Sequence, residues 1–381
     1  MEVSSPSFNS IVVHYGEVTL KRGKRGLFER ILRRNLEKQT GAKVKRLQGR
    51  FVIDVSSEQD LRRMLEKIGK VFGVVWYAPA VKPGSLDELE QKILSELRRI
   101  EVKKVRVDTR RSDKRFPMRS IDVSRRLGES ITRSLGLKID LKNPDKTIFV
   151  EITEDGLYAS FDKLKGPGGL PLDSSGKLLA LLSGARSALA CWYMMKRGCR
   201  VDFLHVGFES SEKSSPLIDL QIVNKLLEYS LTAKLYEVVS DGFEERVKDL
   251  SEEAKKPLFE LFLLKVGGAI AESRRYPGIV LGSMPRRTSD VKNLCTILSF
   301  RRLPIYTPLL ALDEEEVLNG LKSIGLEGEH VLEESGRSIE VNKRELERLW
   351  MELGLDEAVE EALRGLSVFS LRLGEPPKRI R

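Results

Sequence analysis

The chain is 381 residues long, 41% hydrophobic and 32% charged, which suits two or three ordinary domains and excludes a disordered or low-complexity protein. No apolar run approaches membrane-spanning length and the opening residues lack a secretory pattern, so a cytoplasmic protein with no membrane partner is expected. The formal net charge of +10 is unevenly spread: Met1 to Leu170 holds 36 Lys and Arg against 23 Asp and Glu, Pro171 to Arg381 holds 30 against 33. High charge density alone suits a thermostable surface, but a sign imbalance points to an anionic partner on the front half, nucleic acid ahead of an acidic membrane. Cys191, Cys199 and Cys295 form no Cys-x-x-Cys pair, and with His14, His205 and His330 as the histidines no metal site is expected.

The first elements follow in the order βαββαβ. Ile11–His14 reads as a strand, Gly26–Gln39 as a helix, and Lys43–Leu47 and Arg50–Val55 as strands around Gln48-Gly49. Glu58–Ile68 reads as a second helix and Val71–Tyr77 as a further strand, which suggests a ferredoxin-like sandwich. After Pro79, Pro83 and Gly84, the run Ser85-Leu86-Asp87-Glu88 is a capping box opening a helix. A strand at Val105–Thr109, a helix over Ser120–Leu135 and strands at Thr147–Ile152 and Leu157–Phe161 complete a second unit. Gly166–Pro171 reads as a linker. Beyond it, buried-type strands at Lys177–Leu182, Val201–Val206, Lys234–Val239 and Ile279–Leu281 alternate with helices, the pattern of a parallel sheet. Val341 to Leu366 reads as helical, followed by a basic segment, Pro376–Arg381.

Several strings together resemble one family. His14-Tyr15-Gly16-Glu17-Val18-Thr19-Leu20-Lys21, Leu141-Lys142-Asn143-Pro144-Asp145, Gly166–Pro171, Leu181-Leu182-Ser183-Gly184 and Met194–Gly198 resemble, in order, segments of tRNA 4-thiouridine synthetases. The resemblance implies an α+β front half, with a ferredoxin-like domain over 1–78 and a THUMP domain over 79–165 that grips the tRNA acceptor end. It implies next an α/β doubly wound parallel-sheet PP-loop pyrophosphatase domain over 166–330, and a C-terminal helical extension over 331–381. The chemistry implied is ATP-dependent adenylation of a tRNA uridine, with Mg, then sulfur transfer from a cysteine.

Where the family's phosphate loop reads Ser-Gly-Gly-x-Asp-Ser, this chain has Ser183-Gly184-Ala185-Arg186-Ser187-Ala188. Ala185 adds a Cβ and Ser187 replaces the carboxylate; Ser183, Gly184, Ala185, Arg186 and Ser187 are the expected remnant of a nucleotide site. Archaeal-type members carry Cys-x-x-Cys-Lys where this chain has Leu261, Leu264 and Lys265, so no iron–sulfur cluster is expected. The resulting expectation is a tRNA-binding member whose adenylation and sulfur transfer are lost or impaired, working with a separate tRNA-modifying enzyme or as a homodimer. The alternative is an active ATP-dependent sulfurtransferase.

Lys21, Arg22, Lys24 and Arg25 form a basic loop that either contacts phosphates or is merely solvated. Arg110, Arg111, Lys114, Arg115 and Arg119 surround Phe116, whose ring either stacks on a base or packs locally. Lys142 joins this RNA-binding set. Cys295 is the one candidate nucleophile, against a buried apolar thiol. His205 is read as a hydrogen-bonded histidine near the cleft, and Asp313–Glu316 as an acidic helix start.

Overall fold

The computed structural model describes residues 8–20, 23–207, 220–285, 287–326 and 340–381. Contacts divide the chain into two compact units, Met1–Leu172 and Asp173–Arg381.

The first unit opens with β1 (Ser10–Tyr15), α1 (Arg25–Thr40), β2 (Val44–Leu47), β3 (Arg50–Asp54), α2 (Glu58–Ile68) and β4 (Val74–Ala80), the expected βαββαβ order. Local chemistry sets the boundaries. Gly41 closes α1 in the left-handed region at φ 73°, and the Ser57 hydroxyl accepts the Asp60 N–H to open α2. Ile11, Val13 and Tyr15 pack against the helices with Leu32, Leu36, Leu61 and Ile68, while Val12 and Val52 face the other way. The last strand starts three residues later than the sequence suggested. Val71 and Phe72 are buried but precede Gly73, whose φ of 100° breaks the extended run.

A second layer pair follows: α3 (Leu86–Leu97), β5 (Lys104–Arg111), α4 (Ser120–Leu135), β6 (Lys138–Ile139), β7 (Lys146–Thr153) and β8 (Gly156–Ser160). Its sheet runs β6-β5-β7-β8, parallel except for the β7–β8 hairpin. The helices cover one face through Leu89, Ile93, Val123 and Leu127. Tyr158 on the other face packs with Val12, Leu47, Val52 and Ala80 of the first sheet.

The chain then re-enters the first sheet. A two-residue strand, β9 (Leu164–Lys165), pairs antiparallel with β4, and the Gly168 N–H reaches the Val74 carbonyl at 2.8 Å. Leu170 is buried in the first core. The expected linker Gly166–Pro171 is therefore docked backbone, and the second unit starts at Asp173 rather than at 166.

That unit contains β10 (Lys177–Leu181), α5 (Ala185–Lys196), β11 (Arg200–Gly207), α6 (Leu220–Ser230), β12 (Thr232–Val239), α7 (Asp241–Val247), α8 (Glu252–Ser273) and β13 (Ile279–Val280). It continues through α9 (Thr288–Leu298), β14 (Ile305–Tyr306), α10 (Glu314–Ser323), α11 (Lys343–Glu352), α12 (Leu355–Arg364), β15 (Ser367–Arg372) and β16 (Lys378–Arg379). The sheet order is β14-β13-β10-β11-β12-β15-β16. The first five strands are parallel, as expected; β15 and β16 add an antiparallel edge. The C-terminal extension is thus helical only to Arg364. Val368, Phe369 and Leu371 then bury themselves by continuing the sheet beyond β12. Among the described residues no helix is long and apolar enough to cross a membrane.

Candidate functional site

The central strand β10 is held by buried Leu178, Leu179 and Ala180, with Leu182 buried just beyond it. The chain turns at Ser183 and Gly184 into α5, at the carboxyl end of a parallel sheet where α/β folds place ligands. Here the buried Ser187 hydroxyl folds back on the loop. It accepts the N–H groups of Ser183 at 2.9 Å and Gly184 at 3.0 Å and donates to the Gly184 carbonyl at 2.7 Å. Gly282 presses against this turn so closely that a Cβ there would lie 2.6 Å from the Ser187 Cα. Only glycine fits that approach.

Ser183, Gly184, Ala185, Arg186 and Ser187 line one cleft of about 420 Å³. Its apolar wall is built by Leu181, Leu263, Leu264, Leu281, Leu294 and Ile297. Leu264 therefore puts hydrocarbon into the cleft, while Leu261 is fully buried in the core and the Lys265 ammonium pairs with Asp356 at 2.9 Å. A smaller recess beside it, also bordered by Arg186, holds Lys256 and Asp290.

Glu260 of α8 lines both cavities, and the sequence reading missed it. Burial holds its carboxyl above the ordinary carboxylate range; Lys256 pulls it back and Asp290 pushes it further up. The one signal in the sequence was an acidic residue beside an apolar helical stripe. Among the described residues, no group of three or more His, Cys, Asp or Glu could hold a metal ion. The loop's own chemistry is polar but uncharged apart from Arg186. It offers no carboxylate, and two of its amide donors already serve Ser187.

The remaining candidates of this unit behave simply. Cys191 and Cys199 are buried, and burial pushes both thiols above their ordinary range. Cys295 is exposed, not a buried apolar thiol: the buried positions of α9 are Asn293 and Ile297, which leaves residue 295 on the opposite face. His205 Nδ1 lies 2.9 Å from the Leu182 carbonyl, a packed histidine as expected. Asp313 caps α10 reciprocally with Glu316, so the acidic run is a helix start.

In the first unit the basic residues sort by whether their charge is already engaged. Lys21 and Arg22 lie outside the described residues; Lys24 is exposed. Arg25 donates to Glu29 at 2.7 Å. Arg111 clips its own loop through the carbonyls of Phe116 and Met118, at 3.1 and 2.9 Å, and half-buried Phe116 packs on the core. Arg115 forks onto Asp113 and Arg119 binds Asp122 at 3.0 Å. Arg110, Lys114 and Lys142 are exposed and make no ion pair among the described residues.

Between the two sheets of this unit, Glu151 meets Arg50 in a buried ion pair and accepts from His14 Nε2 at 3.0 Å. Burial, then the cations Arg50, Lys163 and Arg110, push the His14 imidazole down to about 3, so it stays neutral.

Comparison with known proteins adds the pedigree. Family models match in chain order: a ThiI ferredoxin-like domain over residues 10–78, a THUMP domain over 84–162 and a Thiamine biosynthesis protein (ThiI) model over 173–339. A probable tRNA sulfurtransferase of Methanocaldococcus jannaschii is 33% identical over 336 residues, 83% of this chain and 87% of that one. The chain belongs to the tRNA sulfurtransferase family. A Thermococcus kodakarensis member is 31% identical, covering 84% of this chain and 88% of its own.

Among solved structures, a 4-thiouridine synthetase crystallised with RNA and ATP shares the fold, with a TM-score of 0.81 at 24% identity over 96% of this chain and all of the other. PH1313 from Pyrococcus horikoshii aligns with a TM-score of 0.63 at 27% identity, covering 84% of this chain and all of its own. The ferredoxin-like domain, the THUMP domain and the parallel-sheet domain of a sulfurtransferase are thus all present.

Proposed function

We propose that this sulfurtransferase-family chain binds tRNA through its first unit and acts in tRNA modification without carrying out adenylation or sulfur transfer itself. The observation that carries the reading is the Ser187 hydroxyl, which satisfies two backbone amides of the phosphate loop from within. A loop that answers its own donors has little left to stabilise charge on a transferring phosphoryl or adenylyl group. Leu264 adds to this, since hydrocarbon in the cleft wall can neither carry sulfur nor ligate iron. ATP and the tRNA acceptor end come to this chain from family resemblance, and a separate modifying enzyme would supply the missing chemistry, whether this chain acts singly or as a homodimer.

An active ATP-dependent sulfurtransferase is the competing reading, and Glu260 is the feature in its favour, because it brings a carboxyl from α8 to the same cleft. One assay separates the two. Purified chain, Mg-ATP, a sulfide donor and unmodified tRNA are incubated, and the nucleosides are analysed by mass spectrometry. The expected yield of 4-thiouridine equals that of the enzyme-free control. Turnover above that control overturns the reading.

A further inference from the structure

The sheet of the second unit has two ends of different chemistry. The strands β10 to β14 are parallel, β15 runs against them and β16 runs with them. The end where the parallel strands finish holds the cleft and the acidic first turns of α7, α8 and α10. At the other end, where they begin, cations collect. The register sets Lys177 beside Arg200 and Thr232 beside Arg372, and two residues further along it aligns Lys234, Ser370 and Lys378. Arg274 and Arg275 lead into β13, Arg301 and Arg302 into β14.

Few carboxylates answer this row. Asp202 takes Lys177 at 2.5 Å, Asp173 takes Arg200 at 2.8 Å and Glu272 reaches Arg302 at 3.8 Å. Of the acids in these strand entries that leaves Glu375, in the turn between β15 and β16. Lys234, Arg274, Arg275, Arg372 and Lys378 are exposed and make no ion pair among the described residues. A cation at a helix carboxyl end answers the helix dipole, which accounts for Arg274 and Arg275 after α8. Strands have little dipole, so Lys234, Arg372 and Lys378 have no such reason. Lys378 also guards the open edge of the sheet, but Lys234 lies two strands inside it. From β14 to β16, six steps of about 4.8 Å make the row about 29 Å long, enough to meet several successive phosphates. The strand entries hold no exposed aromatic ring, since Tyr276 is buried. Cations with no ring beside them hold phosphates without reading bases, which suits a paired helix whose bases are turned inward.

We propose that this end of the second unit binds the phosphate backbone of a double-helical RNA segment through Lys234, Arg372 and Lys378, with Arg274 and Arg275 alongside. The proposal rests on the tRNA-binding reading and adds to the first unit's contact a second one, away from the cleft. It is the weaker of the two, because from Pro171 onward the chain carries 33 acids against 30 bases.

The test titrates the full chain against labelled, unmodified tRNA and against a labelled RNA duplex, by fluorescence anisotropy across a salt series. Combining Lys234→Gln, Arg372→Gln and Lys378→Gln should weaken both about tenfold and flatten the dependence of log affinity on log salt by about 2 to 3. An unchanged thermal transition in that variant shows that the loss is not unfolding. Arg364→Gln, just before β15 at the other end of the sheet, should change neither affinity nor slope. If the native chain binds tRNA while the triple variant keeps native affinity and slope, the row is overturned and the tRNA-binding reading stands. A variant that loses affinity for a single strand but not for the duplex overturns the paired-backbone assignment. Displacement of the duplex by polyglutamate as readily as by RNA of equal charge would assign the row to an acidic protein instead. Failure of the native chain to bind tRNA removes both ideas.

Discussion

Replacing Ser187 by Ala removes a single oxygen that organises the start of α5, and the consequences can be worked out from its three hydrogen bonds. The Ser183 and Gly184 amides, at 2.9 and 3.0 Å, lose their acceptor, and the Gly184 carbonyl loses a donor. Removing a hydroxyl that caps a helix start costs about 0.5–2 kcal/mol. The turn borders an open cleft, so water replaces part of the loss and about 1 kcal/mol remains. For a unit of this size that corresponds to a fall in Tm of about 2–4 °C. The freed amides then point at a cleft with a cationic neighbour in Arg186, where an anion is favoured. Phosphate tenfold above its dissociation constant would return about 1.4 kcal/mol to the variant and much less to the native chain. Scanning calorimetry of both proteins, with and without inorganic phosphate, measures each quantity. An unmoved transition, or equal phosphate shifts in the two proteins, would refute the idea that Ser187 occupies the loop's donors.

A fragment ending at Leu172 should bind tRNA on its own and lose about tenfold or more in affinity over a threefold rise in salt; equal binding by Asp173–Arg381 would contradict this. His14 sets a pH dependence whose sign follows from its depressed value of about 3. The unfolded chain takes up a proton near pH 6.5 that the native chain refuses, so stability is full above that pH and falls as pH drops towards 3. The slope contributed by this group is at most about 1.4 kcal/mol per pH unit. Urea unfolding at about pH 7 and about pH 5 should show that loss in the native chain and a smaller one in His14→Gln. Gly282→Ala should destabilise the second unit by about 1–3 kcal/mol, because the new methyl meets the Ser187 backbone; an unchanged calorimetric transition would show that the turn yields freely.

What could be read in the sequence was whatever local chemistry decides. Ser85 announced its helix, and its hydroxyl caps where expected. Gly49 marked the hairpin, and the alternation of β-branched runs with helices beyond Lys177 gave the parallel sheet. What escaped was decided by tertiary proximity. Leu164–Lys165 is too short to show a period, and the glycines after it signal a free linker as readily as a docked turn. At position 187 the family resemblance pointed to a missing carboxylate, but only the fold shows the Ser187 hydroxyl turned back onto two amides. The exposure of Cys295 could not be read, because a helix of mixed polarity leaves its buried face ambiguous until its neighbours are known. Glu260 and Lys234 carried no motif at all; each matters through what other segments bring beside it.

The return of the chain to β4 changes how the first unit can fold and move. Residues from Val81 onward leave the ferredoxin-like sheet, build a complete second sheet with its helices, and come back to pair Leu164 with Tyr77, while Val81 itself bridges Ala159. The second domain is therefore an insertion held at both ends, not a bead on a string. A single connection would allow swivelling about one bond; two adjacent ones remove that freedom and leave the contact between the sheets at a fixed angle. The fifth strand of the first sheet also cannot be added until the excursion has closed, which makes the completion of one domain wait on the other. Cutting the chain after Lys165 would strip Leu170 from a core that lies earlier in the sequence, so the two domains share one fate in any dissection of this protein.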